Sequence, residues 1–138
     1  MTSPFPRFPP YPVRGVRVLH RKMNCAPQFA DITADFEPAG SEGFAFVVAD
    51  ELVVDYEPAA DVPGFRAAVA DGMREQFREL EPELALAVRV VLTGMRADTF
   101  GSRPRAFRVA GFLAARRALQ RTGFLPADGV SPHARPGP

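Results

Sequence analysis

A chain of 138 residues with 46% apolar side chains is long enough for one domain with its own core. Its net charge is only +1, and its single cysteine excludes an internal disulfide. No apolar run approaches the roughly 18 residues that span a membrane, and prolines interrupt the N-terminus where a signal peptide needs an apolar run. We therefore expect a cytoplasmic protein.

The charges are segregated along the chain. Residues 1–30 carry five basic and no acidic side chains, residues 31–65 carry nine acidic and no basic ones, and residues 96–138 carry eight basic and two acidic ones. Sixteen of the seventeen basic side chains are arginine, a preference that suits phosphate recognition and that GC-rich codon usage also produces. This segregation predicts an oriented contact with a polyanion.

Prolines concentrate at the two ends. Five of the fifteen lie in residues 1–12 and four in residues 126–138. Because proline lacks an N–H donor and fixes φ, residues 1–12 are predicted to be an extended, disordered tail. Residues 125–138 are predicted to be a second disordered tail, which leaves residues 13–124 as the ordered domain.

Two strands are predicted next. Residues 13–20 alternate loosely, with Val16 and Val18 on one side, and form a short strand or the end of a linker; residues 21–28 then read as a basic loop. Residues 29–36 alternate with period two, which is typical of a half-buried strand. Their apolar face is Ala30, Ile32, Ala34 and Phe36, and their polar face is Asp31, Thr33 and Asp35.

A turn and a further strand region follow. Residues 37–43 have the proline, glycine and serine content of a turn. Residues 44–56 show two apolar bursts, which indicate one long strand with a bulge or a strand with a short extension. The short connection predicts that this strand runs antiparallel to the preceding one.

The helix predicted over residues 61–80 has the clearest pattern. Asp61 is expected to cap its first turn, in which Pro63 fits, and Pro82 follows its end. Gly72 on the buried face is expected to allow close approach to a sheet. The residues of that face recur at three- and four-residue steps: Phe65, Ala68, Val69, Gly72, Met73, Gln76 and Leu80.

A strand over residues 86–95, a loop over 96–102 and a helix over 103–121 complete the domain. Ser102 is expected to cap the helix and Gly123 to end it. At 3.6 residues per turn, one narrow face is suited to lying close on a sheet: Phe107, Ala110, Gly111, Ala114 and Ala118. The opposite face carries Arg105, Arg108, Phe112 and Arg116.

The sequence lacks the motifs of the common enzymes. It contains neither a G-x-x-x-x-G-K-[ST] phosphate loop nor a G-x-S-x-G nucleophile turn. His20 and Cys25 supply only two ligands, too few for a closed zinc site. We therefore expect no catalytic residues, no metal and no cofactor.

Four short stretches, in the same order and spacing, resemble domain IV of elongation factor G and the ribosomal-protection factors. QFADI at 28–32 is similar to the family's QFG strand, and GFAF at 43–46 to its G-Y-x-F strand. The helix stretch from Val62-Pro63 to AVADGMRE at 68–75 and AFRVAG at 106–111 are similar to the family's two helices. The resemblance spans residues 15–122.

The resemblance implies an α+β fold: a two-layer sandwich like domain 2 of ribosomal protein S-five, with a left-handed split β-α-β crossover. Domain IV of the family reaches into the decoding site with its tip loops, which correspond here to residues 21–28 and 96–103. The family's tip histidine is absent, since Ala97 or Asp98 takes its place. No GTPase domain accompanies the domain in this sequence, so GTP-driven translocation is not expected.

Two functions remain open. The first is a translation-factor-like module that contacts ribosomal or other structured RNA, with Phe100 or Phe112 stacking on a base. The second is a protein–protein interaction or regulatory domain, with Phe112 and Arg116 meeting the partner. The residues predicted to contact RNA are Arg21, Lys22, Arg96, Asp98, Phe100, Ser102, Arg103, Arg105 and Arg108.

Overall fold

The computed structural model describes residues 4–23 and 26–127, which form one sheet and a layer of two helices. This mixed architecture confirms the predicted α+β sandwich. A 3₁₀ turn at Ala59–Asp61 precedes the first helix. In chain order the elements are β1 (Arg7–Phe8), β2 (Val13–Lys22), β3 (Gln28–Pro38), β4 (Gly43–Val48), α1 (Val62–Leu80), β5 (Ala85–Arg96) and α2 (Pro104–Arg121).

β5 is the centre of the sheet. It pairs antiparallel with β3, which pairs antiparallel with β2 at one edge. On its other side β5 pairs in parallel with β4 and, at its first two residues, with β1. β3 and β4 therefore run in opposite directions, as predicted, but flank β5 instead of forming a hairpin. The β4–α1–β5 unit is not split, because β4 and β5 are direct neighbours.

The alternation of side chains decides which face of the sheet the helices cover. Val16, Val18 and Ile32 are fully or almost fully buried, as are Ala34 and Phe36, and all lie on the helix side. This confirms the faces predicted for β2 and β3. The opposite face is not covered by a helix and carries the polar side chains of β3.

The two helices touch through glycines. A β-carbon added to Gly72 of α1 would lie 2.0 Å from the carbonyl oxygen of Arg108, and one added to Gly111 of α2 would lie 2.1 Å from that of Val69. The prediction that Gly72 approaches the sheet is therefore wrong, because Gly72 faces α2. Gly111, assigned to the sheet-facing side of α2, likewise faces α1.

The ends of the helices differ from prediction at their N-termini. Asp61 lies at the N-cap position of α1 in helical conformation, as the last residue of the 3₁₀ turn, and its side chain makes no capping hydrogen bond. α2 begins at Pro104 with Arg103 at its N-cap position, so Ser102 lies one residue too early to cap it. Gly123 has φ +82°, which confirms that it ends α2.

Part of the predicted N-terminal tail belongs to the core. Phe8 has no exposed surface, and its ring lies 5.2 Å from that of Phe77 and 5.6 Å from that of Phe124. The Ala85 N–H donates to the Pro6 carbonyl at 2.9 Å. The prediction of a disordered segment over residues 1–12 is therefore wrong for residues 6–8, because a buried aromatic anchors a short strand despite its prolines.

The C-terminal boundary shifts in the same direction. Leu125 is half-buried against the core, so the chain is still packed one residue beyond the predicted boundary. Residues 128–138, which make up most of the predicted tail, lie outside the described residues.

The segment after β4 continues the alternation without continuing the strand. β4 ends at Val48, and the last sheet-like bond is from the Ala49 N–H to the Leu92 carbonyl at 3.0 Å. Leu52, Val54 and Tyr56 then pack against the core. The second of the predicted alternatives, a strand with an extension, agrees better with the structure, although the extension pairs with no strand among the described residues. Within the described ranges, no helix is long and apolar enough to cross a membrane.

Candidate nucleic-acid interface

Two loops predicted to form tips meet at one end of the sheet. The Phe29 N–H at the start of β3 donates to the Gly101 carbonyl at 2.8 Å, and Ser102 Oγ donates to the Phe29 carbonyl at 2.9 Å. A β-carbon at Gly101 would lie 2.9 Å from the carbonyl carbon of Gln28, so only glycine fits this contact without a shift. The β5–α2 loop is thus joined to the start of β3, where the chain leaves the β2–β3 connection.

The β5–α2 loop is also closed on itself. The Asp98 N–H donates to Ser102 Oγ at 2.7 Å, the Ser102 N–H donates to the Asp98 carbonyl at 2.9 Å, and the Phe100 N–H donates to Asp98 Oδ1 at 2.7 Å. Asp98 and Ser102 therefore shape the loop, and Ser102 is buried. The loop projects Phe100 outward, with 85% of the side chain exposed.

Four cationic side chains on the segments that meet at this end of the sheet have no bonding partner among residues 4–23 and 26–127. Arg21 and Lys22 lie at the end of β2, while Arg103 and Arg105 flank the first residue of α2. All four are exposed. We call these four residues together with Phe100 the tip cluster. A guanidinium or ammonium group that is not paired with a carboxylate of the protein is available to bind an anion of a ligand.

Arg96 is held differently. Its Nη1 lies 3.4 Å from Asp31 Oδ2, and Arg17 donates to both oxygens of the same carboxylate at 3.0 and 2.8 Å. The hydrogen bond from Arg17 to Asp31, followed by the negative charge of Asp31, raises the pKa of Arg17 above its ordinary value. Asp31 therefore fixes the position of Arg96 beside the tip cluster and balances part of its charge.

The residues predicted on the exposed face of α2 lie away from the tip. Arg108 and Phe112 line a groove of about 770 Å³ between α1 and α2. Arg108 donates from Nη2 to Glu75 Oε2 at 2.7 Å, so it bridges the helices. Phe112 is half-buried in the groove wall, and Arg116 is half-buried further along α2. Arg105 of the tip cluster also lines this groove. The clefts at the tip are lined by none of Arg103, Arg105, Arg108 and Phe112.

A cleft of about 580 Å³ opens beside the tip cluster, between the β5–α2 loop and the segment after β4. Arg21, Phe29 and Arg96 line it from the sheet, and Asp55, Tyr56 and Glu57 line it from the segment. We call it the tip cleft. Sequence reasoning did not assign the last three residues to the site, since Asp55 and Tyr56 were placed at the end of a strand region and Glu57 directly after it. The feature of the sequence that could have indicated them is a pair of acidic side chains on either side of an aromatic one.

Within the described part of the chain, no group of three His, Cys, Asp or Glu side chains is arranged to hold an ion. His20 Nε2 instead lies 2.8 Å from Gln28 Oε1 across the β2–β3 pair. Cys25, the other candidate ligand, lies outside the described residues.

Comparison with known proteins supports the fold alone. No protein-family model matches the chain, and no curated protein matches it. A crystal structure of a protein from Thermus thermophilus superposes with a TM-score of 0.56 at 16% sequence identity. The match covers 80% of this chain and 16% of that one, so the fold of this chain resembles one part of a much longer protein.

Proposed function

We propose that this domain binds structured RNA, with ribosomal RNA as the first candidate, through the tip cluster and without GTPase activity of its own. The observation that carries the proposal is the Phe29–Gly101 contact, which holds the β5–α2 loop against the start of β3. Through this contact, Arg21 and Lys22 at the end of β2 line the same clefts as the exposed Phe100 ring, and Arg103 and Arg105 follow the loop at the start of α2. None of the four cations has a partner within the described ranges.

The chemistry of the tip cluster suits a nucleic acid better than a small anion. Arginine guanidinium groups form bidentate hydrogen bonds with phosphate oxygens, and an exposed phenylalanine stacks on an unpaired base. The hydrogen-bonded loop already holds the Phe100 backbone, which lowers the entropic cost of that stacking. The four cations would contact phosphates and the ring would contact a base, so that together they would span several nucleotides.

The resemblance to domain IV of elongation factor G favours the ribosome among RNA partners. By this resemblance, residues 21–28 and 96–103 correspond to that family's tip loops, which reach the decoding site. The family's histidine falls at Ala97 or Asp98, and Asp98 has a role of its own here, since it accepts the Phe100 N–H. The contact with RNA would therefore rest on arginine and phenylalanine side chains.

Co-sedimentation of the full chain with purified ribosomal subunits tests the proposal. Binding should fall steeply between about 50 and about 200 mM salt, because phosphate contacts release counterions. The double variant Arg103→Gln/Arg105→Gln should lose about tenfold in affinity and show a weaker salt dependence. The matched control Arg78→Gln/Arg89→Gln makes the same charge change at exposed positions elsewhere and should bind as the native chain does.

Two results would overturn the proposal. One is the absence of association with subunits or with isolated ribosomal RNA at every salt concentration. The other is an equal loss of affinity in the tip variant and in the control, which would mean that net charge alone drives the association.

The groove between the helices supports a second candidate, a protein-interaction or regulatory domain. Ala68, Val109, Phe112 and Leu113 give the groove an apolar floor, and charged side chains of both helices border it. An amphipathic helix of a partner fits such a groove. A complex reconstituted from purified components that Phe112→Ala abolishes, while Phe100→Ala leaves it intact, would favour this function over RNA binding.

A further inference from the structure

We propose that the tip cleft binds one unpaired nucleotide of the RNA and prefers guanine as its base. The inference rests on the proposed function, since the nucleotide belongs to the RNA that the tip cluster holds. The volume of about 580 Å³ lies within the range of small-molecule sites and is large enough for one nucleotide.

The charges in the cleft are divided between its two sides. Arg21 and Arg96 lie on the sheet side, and Asp55 and Glu57 lie on the segment after β4. Asp98 lines the cleft from the β5–α2 loop, where its Oδ1 already accepts the Phe100 N–H. A phosphate is attracted to the first side and repelled by the second. A nucleotide therefore has one favourable orientation, with its phosphate at Arg21 and its base against the carboxylates.

Arg21 is the better phosphate ligand of the two arginines. It has no bonding partner within the described part of the chain, whereas Arg96 shares the carboxylate of Asp31. The Arg21 side chain is set by its position opposite Phe29 in the β2–β3 pair. Since Phe29 is tied to the β5–α2 loop through Gly101, the phosphate site and the loop move as one piece.

The carboxylates determine the preference for the base. Asp55 and Glu57 have no hydrogen-bond donor among the described residues, so their oxygens are available to a ligand. Guanine presents two adjacent donors, N1–H and the 2-amino group, on its Watson–Crick edge, and a carboxylate accepts both. Adenine, cytosine and uracil each offer one donor group there, beside acceptors that a carboxylate repels.

The aromatic side chains of the cleft require the base to be unpaired. Phe100 is exposed and available for stacking, and Tyr56 is fixed by its ring contact with Phe65 at 5.4 Å. Stacking and a carboxylate contact both need a base whose face and Watson–Crick edge are free. A base inside a duplex presents neither, so a loop or a bulge is the form of RNA that fits.

Fluorescence anisotropy with labelled hairpin RNAs tests this inference on the full chain. The hairpins differ at one bulged position, which is G, A, C, U or inosine. We expect the G hairpin to bind about tenfold more tightly than the A, C and U hairpins. Inosine, which lacks the 2-amino group, should lose most of this advantage. The fully paired duplex should bind more weakly than the G hairpin.

Two variants assign the preference to the cleft. Asp55→Asn/Glu57→Gln should remove the preference for G while leaving the affinity for the other hairpins equal or higher, since two negative charges are gone. The matched control Asp50→Asn/Glu51→Gln removes the same charge from two exposed residues that do not line the cleft. The control should retain the preference. Thermal unfolding of both variants checks that they fold.

The outcomes separate this inference from the proposed function. Equal affinity for all five hairpins, together with weaker binding by Arg103→Gln/Arg105→Gln, overturns the guanine site and leaves RNA binding in place. A preference for G that survives Asp55→Asn/Glu57→Gln overturns the assignment to the cleft. Failure of every RNA to bind overturns both proposals.

Discussion

Asp31 on β3 and Arg96 on β5 face each other in register, with Arg96 Nη1 at 3.4 Å from Asp31 Oδ2. Only 4% of Asp31 is exposed, and its carboxylate also accepts two hydrogen bonds from Arg17 on β2. One carboxylate thus links the three strands β2, β3 and β5 on the face of the sheet that the helices leave uncovered. The link ends beside the tip cluster.

Replacing Asp31 with Asn should lower the free energy of unfolding by about 2 kcal/mol, because three charge-assisted hydrogen bonds lose their acceptor charge. The measurement is urea unfolding followed by circular dichroism. Asp71→Asn is the control: Asp71 also pairs with an arginine, Arg74, but both side chains are well exposed. It should change the stability by less than about 0.5 kcal/mol. Equal effects would mean that burial adds nothing to the Asp31 network.

The contact between the helices should not tolerate a methyl group. Gly111→Ala places a β-carbon 2.1 Å from the Val69 carbonyl oxygen, so α1 and α2 must separate. We expect a loss of about 3 kcal/mol in unfolding free energy. Gly64→Ala is the control in α1, where a β-carbon meets nothing within 4 Å. That change should stabilise the protein by up to about 1 kcal/mol through helix propensity. A stability for Gly111→Ala near that of the native chain would contradict the close packing.

Residues at the N-terminus should contribute to the core. Phe8→Ala removes a fully buried ring that contacts Phe36, Phe77 and Phe124, and should cost about 4 kcal/mol. Val53→Ala, at a side chain with 84% of its surface exposed, should change the stability by less than about 0.5 kcal/mol. Thermal and urea unfolding measure both. Native stability in the Phe8 variant would restore the prediction of a disordered N-terminal tail.

Phe100 should matter for binding and not for stability. Since its side chain is exposed, Phe100→Ala should leave the unfolding free energy within about 0.5 kcal/mol of the native value. Its affinity for the G hairpin should fall about tenfold, the usual loss when one base loses its aromatic partner. Leu19→Ala, at another exposed apolar side chain, is the control for a general loss of surface area. A native affinity in the Phe100 variant would exclude stacking on this ring.

Local patterns carried much of the fold. The period-two alternation of Ala30, Ile32 and Ala34 marked the buried face of β3, and the helical spacing of Phe65, Val69 and Met73 marked that of α1. These assignments were right because each depends on the direction of side chains along one element. The prediction that Gly123 ends α2 was right for the same reason, since a φ above zero is a requirement of the local backbone.

Relations between distant segments were missed. Gly72 and Gly111 were placed on faces toward the sheet, although each faces the other helix, because a helical pattern shows that a face is buried without showing what covers it. Asp61 and Ser102 were both taken for caps. Ser102 instead bonds to Phe29, which is 73 residues away in the chain. No local pattern specifies a partner at that distance.

The candidate site divides in the same way. By itself, the sequence determined which side chains could serve it: the arginines of 96–121, Phe100 and the loop that carries them. The tertiary structure alone decided which of them act together. It brought the segments that carry Arg21, Arg103 and Phe100 to one end of the sheet. It paired Arg96 with Asp31 and Arg108 with Glu75. It also placed Asp55 and Glu57 in the wall of the tip cleft. The physical reason is that charge and polarity belong to a residue, whereas pairing, exposure and burial depend on contacts that only the folded chain makes.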